Sequence, residues 1–196
     1  MTKEKQPCWV KEAEQIMPYV KNTLEELGLS YEVKPSGLYL PEGQDRGIFV
    51  GDHLMRVVPE HQLIQEFREC HHFQDLPVGI EGFADRAMNA VYLKEGPFCI
   101  VFMTAGHELG HILTERSKEE EEKAFSFQLA WQEAAYKTAG YVRGLVMDSI
   151  STYLSRLPKN SPYYHHRQTF SLIKSLQEDG VSLMGLYELF ADEKVC

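Results

Sequence analysis

Long apolar runs are missing from this 196-residue sequence. No stretch approaches the roughly 18 apolar residues that a membrane-spanning helix needs. The first residues, Met1 to Pro7, also have no apolar core of the signal-peptide type. We therefore expect a cytoplasmic protein that makes no membrane contact.

Paired cysteines and an excess of basic residues are missing too. The cysteines are scattered along the chain without C-x-x-C spacing, which predicts reduced thiols and no disulfide framework. Lys and Arg total 20 against 29 Asp and Glu, which gives a net charge of -9. Because nucleic-acid binding relies on clustered cations, this balance argues against a nucleic-acid partner. The sequence carries no signal of the oligomeric state.

The most informative stretch that is present is His107-Glu108-Leu109-Gly110-His111, an H-E-x-x-H sequence. Residues four apart lie on one face of a helix, so His107 and His111 can present two imidazole nitrogens to one metal ion. Glu108 follows the first histidine directly. From there it can act as a general base towards a metal-bound water without ligating the metal itself.

A third ligand is needed, because catalytic zinc usually takes three protein ligands and keeps its fourth position for water. The continuation H-E-x-x-H-x-x-G-x-x-H is excluded, since Thr114 and Ser117 occupy the required Gly and His positions. The remaining source is the acidic run 119–122. Glu121 is the first choice, because it shares a helix face with apolar residues expected to pack inward, and Glu122 is the second. Alternatively, these are solvated carboxylates that the helix dipole favours.

Hydrophobic periodicity and turn residues predict an α+β fold. We expect a small, mainly antiparallel sheet packed on the motif helix and a glutamate helix, followed by a helical C-terminal part. An N-terminal helix from Trp9 to Leu27 should bend near Pro18 and end at Gly28. The predicted strands cover residues 29–33, 38–40, 47–50, 89–93 and 98–103, and the last leads to Thr104 as the N-cap of the motif helix. Further helices are predicted from Pro59, from the capping-box sequence 117–120, and over residues 141–157, 162–176 and 183–190.

The composition, 43% hydrophobic and 25% charged, is that of an ordinary globular protein. The length suits one domain over residues 1–196. Within it, residues 1–137 are expected to hold the sheet and the active-site helices, and residues 138–196 a helical C-terminal subdomain.

The motif, together with the stretch from Glu121 to Ala130, resembles the zincin metallopeptidases of the gluzincin type, in particular the ImmA/IrrE-like group. Members of that group pair H-E-L-G-H with a downstream helix that carries Glu, then Ala, then Phe and a Leu pair. The resemblance covers residues 91–131 and places Glu121 at an acidic position of the pattern. It implies bound zinc, a metallopeptidase reaction and a small sheet packed on two active-site helices. The sequence departs from the pattern at Phe125, where Asn or Asp is usual, and at Leu129-Ala130.

The expected function is therefore a zinc-dependent metallopeptidase acting on a peptide or protein substrate. His107, His111 and one Glu would hold Zn²⁺, and Glu108 would move a proton from water to the leaving amine. The alternative is a catalytically silent zincin fold that serves as a binding or regulatory module.

Such a reaction also needs a group that stabilises the oxyanion. The candidates in the sequence are Tyr136, Tyr141, Arg143, Tyr163, Tyr164, His165 and His166. Two histidine doublets, His71-His72 beside Cys70 and His165-His166, could offer further metal ligands. Neighbouring residues on a helix point in different directions, so neither doublet forms a chelate by itself.

Overall fold

The computed structural model of the chain describes residues 7–37, 47–71, 80–139, 159 and 164–192, without the side chains of residues 71, 138, 139 and 164. These residues form an α+β fold, as predicted, with a mixed sheet, a small antiparallel strand pair and helices before and after them. The strands are β1 (Trp9–Val10), β2 (Val33–Pro35), β3 (Ile48–Val50), β4 (His53–Val58), β5 (Gly82–Asp85), β6 (Ala90–Lys94) and β7 (Gly96–Pro97). The helices are α1 (Met17–Glu26), α2 (Glu60–His71), α3 (Phe98–Ile112), α4 (Glu120–Ala139), α5 (Tyr164–Glu178) and α6 (Leu183–Asp192), with a short 3₁₀ turn at Ala13–Gln15.

The larger sheet has the strand order β2-β3-β4-β6-β5. Strands β4 and β6 are parallel and are joined by a crossover that contains α2, while the other neighbouring pairs are antiparallel. The prediction of a mainly antiparallel sheet is confirmed. Strand β5 is the last strand on one side of this sheet within the described residues.

The predicted strand over residues 98–103 is wrong, because Phe98 to Met103 form the first turns of α3. The helix begins after Pro97, so Thr104 lies within it and is not its N-cap. A continuous apolar run is typical of a buried strand and also of a buried helix, and periodicity alone does not separate the two. Here Phe98 and residues 101–103 are buried, Cys99 and Ile100 are partly buried, and the sheet and α4 pack against the helix.

The N-terminal helix is shorter than predicted. Its first part is β1 and the 3₁₀ turn, and α1 begins at Met17, so Pro18 lies in the first turn, where its missing N–H costs nothing. Gly28 follows the helix end with a φ of 77° and ends it as predicted. Strands β4 and β5 were not predicted. The strand predicted over 29–33 is wrong except at its last residue, because β2 runs from Val33 to Pro35.

Other predicted elements are confirmed. Helix α2 follows Pro59, α4 follows the sequence 117–120, and α5 and α6 match the last two predicted helices. The predicted strand over 38–40 and the predicted helix over 141–157 lie outside the described residues. None of the described helices combines the length and the apolar composition that a membrane span requires.

Helices α3 and α4 pack unusually closely, because α3 presents glycine at two successive turns. A Cβ atom on Gly106 would lie 2.6 Å from Cγ of Trp131, and one on Gly110 would lie 2.9 Å from Cα of Ala124. The indole Nε1 of Trp131 also donates a hydrogen bond of 3.1 Å to the carbonyl of Phe102. This close approach carries the start of α4 to the face of α3 that bears the two histidines.

The C-terminal helices cover the opposite side of α4. Phe125 and Leu129 of α4 form an apolar cluster with residues of α5 and α6, among them Phe170, Ile173 and Leu183. Helix α5 thereby lies beside the motif histidines as well.

Candidate metal centre

The side chains of His107, His111 and Glu121 converge between α3 and α4. Nε2 of His107 lies 3.2 Å from Nε2 of His111. The Glu121 carboxylate lies across from both rings, with Oε2 at 3.6 Å from Nε2 of His107 and Oε1 at 3.6 Å from Nε2 of His111. Of the described residues, this group alone places three potential ligand atoms within 4.8 Å of one another.

These distances fit a divalent metal ion. Ligand atoms about 2.0–2.1 Å from a tetrahedral zinc lie roughly 3.3–3.4 Å from one another. The separations of 3.2, 3.6 and 3.6 Å are close to that spacing. Oε2 of Glu121 is also buried and makes no hydrogen bond with any described residue. Two imidazoles and one carboxylate whose buried Oε2 makes no hydrogen bond with a described residue are therefore a suitable donor set for zinc.

The protonation tendencies of the two histidines differ. Burial lowers the pKa of His107 well below its usual range, and the neighbouring His111 and His166 lower it further. Burial also acts to lower the pKa of His111, but the carboxylates of Glu120, Glu121 and Glu108 outweigh it and raise that pKa above its usual value. A neutral His107 has a free nitrogen lone pair, which metal ligation requires.

Glu108 lies on the side of α3 that faces the sheet, and only 7% of it is exposed. Burial raises the pKa of its carboxyl from the usual 4.5 to about 7. A hydrogen bond from the Ala84 N–H of β5 acts in the opposite direction and lowers this pKa, but burial outweighs it. A group that exchanges its proton near neutral pH is suited to general acid–base work.

Glu120 is the first residue of α4, and its carboxylate accepts hydrogen bonds from four groups. Oε1 lies 3.2 Å from Nδ1 of His111 and 2.9 Å from Nη2 of Arg86. Oε2 lies 2.9 Å from the Ser117 N–H and 3.1 Å from Nζ of Lys123. Burial acts to raise the pKa of Glu120, but His111, the Ser117 N–H and Lys123 outweigh it and lower that pKa to about 2.

The remaining acidic candidates face elsewhere. Glu122 accepts a hydrogen bond of 3.3 Å from the hydroxyl of Thr169 on α5, so it is turned away from the histidines. Of the two candidate ligands Glu121 and Glu122, the structure brings only Glu121 to them.

His166 of α5 completes the wall of the centre. Its Nε2 lies 3.4 Å from Oε2 of Glu121, and burial lowers its pKa. Phe125 lies between α3 and α5. Its ring centroid is 4.6 Å from that of His107 and 6.0 Å from that of His166. The site therefore has an apolar side and a histidine that comes from the C-terminal part of the chain.

No protein-family model, no curated protein and no solved structure matches this chain. The resemblance to zincin metallopeptidases therefore stays a prediction.

The other sequence candidates have mixed outcomes. Tyr136 is 40% exposed on the far end of α4, and His165 is exposed beside His166. Cys70 lies next to Asp85 and away from the motif. Tyr141, Arg143, Tyr163 and His72 lie outside the described residues, as do the side chains of His71 and Tyr164.

Sequence reasoning missed two contributors, Glu120 and Arg86. Glu120 lies in the acidic run 119–122 but is not one of the two preferred ligands, and only its place in the capping-box sequence indicates a partner. Arg86 follows strand β5, which was not predicted, so nothing in the sequence linked it to the motif.

Proposed function

We propose that the chain is a zinc-dependent metallopeptidase. The observation that carries this proposal is the convergence of His107, His111 and Glu121 with Glu108 beside them on the same helix. Two histidines and a glutamate are one of the ligand sets of catalytic zinc, and that set leaves a position for water. The cytoplasmic location and the zincin assignment remain part of the same proposal.

Bound zinc would polarise a water molecule and the substrate carbonyl, and would lower the pKa of that water to about 7. The carboxylate of Glu108 accepts a proton from the attacking water as the C–O bond forms and the carbonyl oxygen takes up negative charge. Glu108 then delivers that proton to the nitrogen of the leaving amine as the carbonyl re-forms and the C–N bond breaks. Burial raises the pKa of this carboxyl in the metal-free chain to about 7, and the same burial favours its holding the proton between the two steps. His166 can donate a hydrogen bond to the carbonyl oxygen where negative charge develops.

The edge of the sheet supports a peptide as the substrate class. The Lys94 N–H donates a hydrogen bond of 2.8 Å to the Glu81 carbonyl, so by alternation the backbone groups of Gly82 and Ala84 point away from β6. The Ala84 N–H donates to Glu108, which places this edge next to the general base. With the Ala84 N–H engaged by Glu108, an extended peptide can pair with the N–H and C=O of Gly82 and the C=O of Ala84.

The test compares the purified wild type with Glu108→Gln. We expect about one zinc per chain in both proteins by elemental analysis, and cleavage of a broad peptide library by the wild type alone, read by mass spectrometry. A wild type that holds no zinc contradicts the proposal. A wild type that holds zinc but cuts no peptide favours the catalytically silent module.

A further inference from the structure

Glu120 links the metal centre to two cations. Its Oε1 is shared by Arg86 and His111, and its Oε2 accepts from Lys123 and from the Ser117 backbone. The side chain of Lys123 is 0% exposed. A carboxylate held by two cations and a backbone N–H is ionised and can only accept hydrogen bonds.

The direction of the hydrogen bond between Glu120 and His111 determines which nitrogen of His111 carries the proton. Since Glu120 can only accept, the proton in the contact of 3.2 Å belongs to Nδ1 of His111. In the neutral ring the other nitrogen, Nε2, then carries a lone pair, and it is the atom that faces His107 and Glu121. By contrast, Nδ1 of His107 is buried and has no hydrogen-bond partner among the described residues.

The same cations also hold the helix that carries the motif. Arg86 donates to the carbonyls of Thr114, at 2.8 Å, and His111. Lys123 donates to the carbonyl of Glu115 at 2.9 Å. These carbonyls lie at the C-terminal end of α3, where backbone acceptors have no partner within the helix and where cations are favourable. Glu120 is thus fixed to the end of α3 and not only to one imidazole ring.

We propose that Glu120 is a positioning residue, which Arg86 and Lys123 hold so that it keeps His111 in the Nδ1–H tautomer with Nε2 directed at the metal position. The inference rests on the proposed metal site. It assigns to Glu120 no contact with a substrate and no proton transfer.

The test uses Glu120→Ala, Glu120→Gln and, as a matched control, Glu119→Gln, which removes one charge from the neighbouring position. Losing an outer hydrogen-bond partner of a ligating histidine costs about 10–100-fold in metal affinity. We expect Glu120→Ala to weaken zinc binding by that factor in a chelator competition. Glu120→Gln keeps a neutral hydrogen-bond acceptor, so its zinc affinity should lie between those of Glu120→Ala and the wild type. Glu119→Gln should bind zinc with the affinity of the wild type.

A second readout does not depend on zinc. In the metal-free wild type, at a pH above the pKa of His111, ¹⁵N NMR should show the neutral His111 ring as a single Nδ1–H tautomer, and Glu120→Gln should shift it towards a mixture. If Glu120→Ala does not fold, the zinc affinity and the His111 tautomer of Glu120→Gln test the inference instead. Wild-type affinity in a folded Glu120→Gln, or a mixed His111 tautomer in the wild type, overturns the inference. A wild type that binds no zinc contradicts the proposed function instead.

Discussion

Gly110 of α3 and Ala124 of α4 touch at the point where the two helices cross, and a Cβ atom on Gly110 would lie 2.9 Å from Cα of Ala124. The nearest obstacle is backbone, which cannot rotate away as a side-chain end can. The separation of the two helices, and with it the distance between the histidines and Glu121, is therefore set by the absence of one methyl group.

Gly110→Ala should destabilise the protein by about 1–3 kcal/mol through overpacking, and should weaken zinc binding because Glu121 is moved away. Urea unfolding and chelator competition measure the two effects. Gly185→Ala is the control, since Gly185 is an exposed position of α6 where alanine is the better helix former. An equal loss of stability in both variants would mean that the crossing has no special role.

Glu121 and Glu122 are adjacent, so the same substitution at each position tests which of them is the third metal ligand. Glu121→Gln should weaken zinc binding by more than the roughly 10–100-fold that loss of an outer partner costs, because a ligand is lost. Glu122→Gln should retain wild-type affinity, since Glu122 contacts Thr169. Isothermal titration with zinc compares the affinities of the two variants. If Glu122→Gln binds zinc more weakly than Glu121→Gln, Glu121 is excluded as the ligand.

The raised pKa of Glu108 predicts a pH-dependent stability of the metal-free protein. Between pH 4.5 and about 7 the folded chain keeps a proton on Glu108 that the unfolded chain releases. The contribution of this group to the free energy of unfolding is therefore present at low pH and is lost as the pH rises through that window. At about 1.4 kcal/mol per pKa unit, the loss is at most about 3.5 kcal/mol.

Glu108→Gln has no such proton, so its stability relative to the metal-free wild type should rise from pH 4.5 to pH 8. Urea unfolding at both pH values measures the difference. The relative stability of Glu119→Gln should stay constant over the same range. A difference between Glu108→Gln and wild type that does not change with pH would show that Glu108 is ionised throughout.

His166 should matter for turnover and not for metal retention. If it stabilises the oxyanion, His166→Gln should lower kcat by about 10²–10³-fold while zinc stays bound. His165→Gln changes the exposed neighbour and should leave kcat unchanged. Steady-state kinetics with a cleaved peptide, together with metal analysis, test this, and loss of zinc from His166→Gln would point to a ligand role.

The parts of the site that could be predicted from the sequence are those that depend on helical spacing. The face shared by His107 and His111, and the choice of Glu121 over Glu122, both follow from residues three or four apart on a helix. The strand predicted over 98–103 was wrong because that run is apolar on every face, so its secondary structure is decided by the layers around it. His166 and Arg86 reach the centre only through tertiary packing, which no local pattern encodes.

Because the side chain of Lys123 is buried beside the candidate metal centre, its chemical reactivity reports on the opening of that region. Its side chain is 0% exposed, whereas those of Lys94 and Lys137 are 20% and 66% exposed. An acylating reagent should therefore modify Lys94 and Lys137 long before Lys123, which reacts only when the end of α3 separates from α4. The rate at which Lys123 is acylated would thus measure how often the junction that holds the candidate centre opens in the native protein.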